Sequence, residues 1–369
     1  MGKMKAWRLF LVMLYIAILY AQSGSILFPV EKNGLWGYID QKGNIKIELK
    51  FQQAAPFNEG LAAVKIDNQW GFINSSGEFC IEPQFDYCMS FHEGRARVWR
   101  DGNPGKTGWT GGQIGFIDQN GKIIVRPQHK HALDYSEGLA AIYVKGKCGF
   151  IDLNGKIIIQ PQFFYCGTFS NERALIWVGE VLDSTFYIEN EIESYYDEEE
   201  STYIFFNVDE IDFPRGKYGY IDSAGQVVIE PQYETAADFS EGLAAVEIDD
   251  FFGFIDKNGG IAVKPQFTAV GNFHSGLARF LNNNTWGYIN KKGMIIIKPQ
   301  FDECGDFHGG FARIKIGSKW GFIDNKGIII IKPQFDWVED NRQGLIKIKD
   351  QGQWKYISMT GKTIWTFNK

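Results

Sequence analysis

The chain has 369 residues, 44% hydrophobic and 15% aromatic, which is ample for a buried core. Its net charge of -6 is uneven: residues 180–212 hold twelve acids and no Lys or Arg, so the rest of the chain is mildly positive, and half of that excess lies in the first eight residues. The remaining body is close to neutral, which excludes the basic footprint of a nucleic-acid binder.

The first segment reads as a secretory signal peptide, residues 1–21. Lys3, Lys5 and Arg8 precede an apolar stretch at residues 9–20, and Ala21 offers a cleavage point before Gln22. That stretch is shorter than the roughly 20 residues a membrane span needs, and no Cys follows closely enough for a lipid anchor. An exported protein without a stable membrane span after signal removal is expected, whether periplasmic, cell-surface or extracellular.

From residue 22 to 369 one pattern dominates. Trp-Gly-aromatic-Ile-Asp/Asn recurs with its glycine at Gly37, Gly71, Gly115, Gly149, Gly219, Gly253, Gly287 and Gly321, in steps of 34, 44, 34, 70, 34, 34 and 34. Trp36, Trp70, Trp286 and Trp320 keep the Trp; Ile114, Cys148, Tyr218 and Phe252 replace it. A period of this length means a solenoid, a propeller or a similar array. Each unit reads as a three-stranded antiparallel meander: the Trp-Gly strand, an Asp/Asn-x-x-Gly turn, a β-branched strand such as Ile295-Ile296-Ile297 ended by Pro, then a Glu-Gly-Leu-Ala turn and a third strand. Isoleucines on both faces of the second strand predict cover on both faces, and the Gly after Trp predicts close approach of a neighbouring ring.

Two steps exceed the period. The first insertion, residues 102–112, is Gly-rich and reads as a flexible loop presenting Trp109. Its Gly105-Lys106-Thr107 matches only the tail of a phosphate loop, with Arg100 where the first Gly belongs. The second, residues 181–215, mixes acids with aromatics. Glu189, Glu191, Tyr195, Tyr196, Asp197, Glu198 and Glu199 are its best candidates for contacting a partner, since insertions into repeats often mark the binding face. Its carboxylates suit Ca²⁺ in chemistry but not in EF-hand spacing, and the plain reading is a solvated, partly disordered loop. At the ends, residues 27–31 align with a lone third strand, while Trp354-Lys355-Tyr356-Ile357 and residues 362–366 supply strands one and two. The expectation is eight full units plus terminal partial units, stacked as an open β superhelix with degenerate caps. A closed propeller-like ring, to which the two fragments would contribute a ninth unit, is the alternative.

These motifs resemble the WG repeat family, also called KWG repeats, of bacterial proteins, over about nine tenths of the chain. The resemblance implies a β repeat scaffold and no shared catalytic residues or cofactor.

The remaining chemistry-bearing residues have structural readings. Asp40, Asn74, Asp118, Asp152, Asp222, Asp256, Asn290 and Asp324 each open a turn that wants Asp or Asn. Glu59, Glu93, Glu137 and Glu241 repeat in the Glu-Gly turns. His92, His274 and His308 share one polar turn slot; His129 and His131, two apart, face the same way on an extended segment but have no evident third ligand. Cys88, Cys166 and Cys304 fill a small apolar slot held elsewhere by Ala or Val; Cys148 stands in a Trp slot, and Cys80 with Cys88 is the pair close enough in sequence to bridge. No metal or cofactor is expected. The reading is a non-catalytic exported scaffold for a protein or cell-surface polymer, with a polysaccharide hydrolase on a propeller-like body as the alternative and an envelope component without a dedicated ligand as a third.

Overall fold

A computed structural model describes residues 26–105, 108–179, 196–197, 202–203, 216–339 and 344–367. The signal segment 1–21 lies outside them. Among the described residues the regular elements are antiparallel strands, and no helix is long and apolar enough to cross a membrane. Nine of the ten small sheets are the blades of a β-propeller, at residues 28–51, 53–85, 87–129, 139–163, 165–233, 243–267, 269–301, 303–335 and 337–366; the tenth is a two-stranded pair, 196–197 with 202–203.

Blade 2 shows how the sequence builds a sheet. A two-residue strand, Gln53–Ala54, pairs with a lead strand, Ala62–Ile66; this pairs with the Trp-Gly strand, Gln69–Ile73, which pairs with an edge strand, Phe79–Phe85. The lead and Trp-Gly strands are joined by Asp67 and Asn68, both at positive φ (49° and 64°). This is the two-residue hairpin whose twist matches that of the strands, and Asn33-Gly34, Asp249-Asp250 and Asn283-Asn284 repeat it. The sheet therefore unites the third strand of one sequence repeat with the first two of the next. The predicted meander is right in its elements and wrong in its phase.

Three expectations change with that phase. The edge strand is not covered on both faces: Ile295 and Ile296 are 53% and 45% exposed and only Ile297 is buried. Pro83 does not end its strand; it lies inside Phe79–Phe85. The register there jumps from Trp70↔Phe85 to Phe72↔Ile81, so Pro83 sits in a bulge where its missing N–H costs no ladder bond. The Gly after Trp faces backbone rather than a ring. A Cβ on Gly71 would stand 2.6 Å from the Ile81 carbonyl oxygen and 2.7 Å from Pro83 N, and the same holds at Gly37, Gly115, Gly149, Gly219, Gly253, Gly287 and Gly321.

The eight Asp/Asn turn residues behave as predicted. In each, Oδ1 accepts the N–H groups two and four residues on, as Asp152 does from Asn154 and Lys156 at 2.9 Å, and likewise from Asp40 to Asp324.

Blades are joined by apolar packing. The aromatic after Trp-Gly meets the aromatic of the following Glu-Gly turn in every junction of the type Phe72–Phe91, Phe150–Phe169, Phe254–Phe273 and Tyr288–Phe307, with centroids 4.6–4.8 Å apart. Such pairs are worth about 0.5–1.5 kcal/mol each beyond the area they bury. A second contact sets the turn glycine of one blade against the edge strand of the blade before: Gly77 against Ile47, Gly121 against Ile81, Gly293 against Val263, Gly327 against Ile297.

The same contact recurs between the two chain ends. A Cβ on Gly43 of blade 1 would lie 2.9 Å from the carbonyl oxygen of Ile364 in blade 9. Phe28, Val30 and Ile39 share one buried cluster with Leu345 and Tyr356, and the rings of Phe28 and Tyr356 are 5.8 Å apart. The expected open superhelix is thus corrected to a closed ring. The terminal fragments are complementary surfaces rather than degenerate caps, and each completes its own sheet.

Cys88 and Cys304 are free and buried in the small slot, as predicted. Cys166 is not free: it bridges Cys148, with Cα atoms 6.1 Å apart. Cys80 is exposed and unbridged, so the pair Cys80 and Cys88, left open by the sequence, is not bridged. The Trp slot and the small slot eighteen residues later touch across a blade junction, as Trp70 and Cys88 share one cluster; two cysteines in those slots meet.

Candidate binding face

Because strands alternate in direction, the turns fall on two opposite faces of the ring. The Asp-x-x-Gly and Glu-Gly turns lie on one. The two-residue hairpins lie on the other, and both insertions replace such a hairpin. In blade 3 the insertion is not a loop: it lengthens the lead and Trp-Gly strands to Arg95–Gly105 and Gly108–Asp118, eleven residues each, paired down to Gly105↔Gly108. Trp109 lies in this arm opposite Pro104; its side chain is outside the described atoms, as are Lys106 and Thr107 altogether. In blade 5 the insertion separates Ala174–Gly179 from Gly216–Ile221. Within it, Tyr196 and Asp197 pair with Tyr203 and Thr202 in a short hairpin; Glu189, Glu191, Tyr195, Glu198 and Glu199 lie outside the described residues. Both insertions begin and end at hairpin positions of the same face, with blade 4 between them, and blade 4 keeps a plain turn at Lys145-Gly146.

The opposite face carries most of the repeated carboxylates, and they are occupied by backbone. The Glu59 carboxylate accepts the N–H groups of Glu93 and Gly94 in the next blade at 2.6 and 2.8 Å. Glu93 in turn accepts from Glu137 and Gly138 at 2.8 and 2.7 Å, Glu137 from Glu172 at 2.7 Å, and Glu241 from Gly276 at 3.0 Å. Both turn residues have positive φ, for example 52° at Glu93 and 72° at Gly94, which aims two successive amides at one anion. These glutamates are rungs between blades. Asp40 is engaged within its own turn instead: hydrogen bonds from Asn44 hold its carboxyl down to about 2.

Between the faces, Arg97 crosses into the next blade and grips Asp134 with two bonds of 2.7 and 2.9 Å, while donating to the Ala132 carbonyl at 2.8 Å. Arg279 places its charge 3.2 Å from Asp306 as an ion pair, without a hydrogen bond between Nε and Oδ1, and donates to the Cys304 carbonyl at 2.7 Å. At the corresponding junction of blades 5 and 6, Leu175 stands in the Arg position. Asp238 is left with Oδ1 buried and without a hydrogen-bond partner, and burial raises its carboxyl to about 7. The sequence reading missed this residue, although Leu175 and Asp238 could have been aligned with Arg97 and Asp134.

The histidines separate. His129 is buried at the end of its edge strand, where burial lowers its pKa. His131 is exposed, its ring 6.0 Å from that of Tyr143. They do not share an environment, and among the described residues no three His, Cys, Asp or Glu side chains converge as metal ligands would.

The sequence matches the family described as WG containing repeat at residues 36–70, 70–103, 114–148, 149–178, 218–250, 252–286, 286–320 and 320–354. The chain belongs to the WG-repeat family. Each family repeat starts at or next to the Trp slot and so spans two blades of the WG-repeat ring. No curated protein matches the chain. Among solved structures, a eukaryotic initiation factor is similar over 94% of this chain and 97% of its own, with 10% identity and a TM-score of 0.60, a likeness of fold. The dihydro-heme d1 dehydrogenase NirN aligns over 82% of this chain and 72% of its own, with 12% identity and a TM-score of 0.42. PorZ, a surface component of the type-IX secretion system of Porphyromonas gingivalis, aligns over 94% of this chain and 53% of its own, with 10% identity and a TM-score of 0.30.

Proposed function

We propose that this WG-repeat ring is an exported, non-catalytic binding scaffold that holds a protein or cell-surface polymer on the face carrying both insertions. The observation that carries the reading is the shared origin of the two insertions: each replaces the same hairpin, so both leave the ring at one face, on either side of blade 4. The repeated Asp and Glu side chains support it, because they are engaged by the chain's own backbone. Export is supported by the basic and apolar start of the sequence and by the Cys148–Cys166 bridge, a bond that persists in oxidising compartments.

The test is capture from envelope and medium extracts by three forms of the chain from Gln22 onward: intact, with residues 181–215 replaced by an Asn-Gly turn, and with residues 102–112 replaced likewise. A partner lost with either replacement supports the reading. Equal capture by all three moves recognition off this face, and hydrolysis of a polysaccharide panel by the intact form would overturn the non-catalytic assignment.

A further inference from the structure

The carboxylate rungs skip blade 6 and stop at blade 8. Its turn, Gly309-Gly310, has the same conformation as the capped turns, with φ of 59° and 85° against 52° and 72° at Glu93-Gly94. The residue that should cap it, one blade back, is Ser275 rather than Glu. Ser275 is exposed with φ 54°, the backbone of a capping Glu (50° at Glu59), but its side chain ends two carbons short of a carboxylate. Among the described residues no side chain accepts from the N–H of Gly309 or Gly310.

We propose that Gly309 and Gly310 form a binding site for a carboxylate supplied by another molecule, an acidic side chain or a chain terminus of a protein partner. The chemistry is set by the four capped turns of blades 3, 4, 5 and 7, where the equivalent amides take a carboxylate at 2.6–3.0 Å. Register adds a further donor. Gln119 and Lys291, each following a turn Asp or Asn, contact the capping carboxylates of Glu59 and Glu241, and Asn325 holds that place beside Ser275. The turn at Glu241-Gly242 follows Asn171 and also lacks a Glu cap, but there the Glu172 carboxylate, held by Lys257 at 2.6 Å, already occupies the junction. The site lies on the face opposite the insertions and stands independently of the reading given to them.

The experiment is an acetate titration of the ¹⁵N-labelled chain at constant ionic strength. The Gly309 and Gly310 amide resonances are expected to move saturably while Gly94 and Gly138 stay still. Ser275→Glu, a residue this backbone carries elsewhere, should shift both resonances without acetate and weaken the response at least about tenfold; Ser275→Ala should leave it intact. An amidated peptide with one Glu, compared with an acid-free peptide with a free C-terminus, separates the two sources. No movement with acetate, or an undiminished response in Ser275→Glu, overturns the proposal.

Discussion

Asp238→Asn should stabilise the protein at pH 8 and have little effect at pH 4. The Asp238 carboxyl is raised from 3.8 to about 7 by burial, and its Oδ1 has no donor. A folded-state pKa above the unfolded one means that between these values the native state holds a proton the unfolded state lacks. Stability therefore falls as pH rises from about 4 to 7, and the loss is complete above 7. The gap corresponds to about 4 kcal/mol. Since the residue as a whole is part-exposed, solvent screening brings the expected gain of the Asn variant to about 2 kcal/mol, or roughly 3–5 °C in Tm. Leu175→Arg should act through the same carboxylate, by supplying the guanidinium that Arg97 gives Asp134. Room exists, because blade 5 carries Gly167 where blade 7 carries Gly271 beside Arg279. Thermal melts of both variants between pH 4 and 8 check the argument. A gain for Asp238→Asn that is the same at both ends of that range would refute it.

Three further outcomes are expected. Replacing Cys148 and Cys166 together by Ser should cost about 3 kcal/mol in denaturant unfolding, the chain-entropy value for their separation of 18 residues, and reductant should remove the difference from wild type. Gly71→Ala should cost at least about 1–3 kcal/mol because its methyl meets the Ile81 and Pro83 backbone at 2.6–2.7 Å, which cannot withdraw as a side chain can; denaturant midpoints measure it. Phe28→Ala should cost about 3–5 kcal/mol by unsealing the junction with Tyr356, and small-angle scattering should detect a wider particle if the ring opens.

The repeat made local structure legible. A turn is decided within five residues, so Asp152 predicts its own bonds to Asn154 and Lys156. The small slot followed the same logic for Cys88 and Cys304. What escaped was decided across blades. Closure depends on Gly43 meeting Ile364, a contact between positions over three hundred residues apart in the chain. The phase was misread because the sequence shows strands but not which neighbour each prefers; the positive-φ pair Asp67-Asn68 makes the tightest hairpin and takes precedence over the longer Asp-x-x-Gly turn as the centre of the sheet. The isoleucines of the edge strand mimic a two-face-buried strand because the ring leaves an apolar perimeter, something a composition argument reads as core. Cys148–Cys166 and Asp238 were visible as departures from the register, but only a known blade junction says that a Trp slot touches the residue eighteen later, or that an Arg slot faces the next blade's Asp.

The offset between repeat and blade bears on how such a ring can change size. A duplication or loss of 34 residues, wherever its breakpoints fall, would add or remove one complete sheet together with its seams, and never strand a half-made one. Growth by tandem copying is then limited by curvature alone: each added wedge must share the full turn with its neighbours, and the pair of ends at Phe28 and Tyr356 must still find each other.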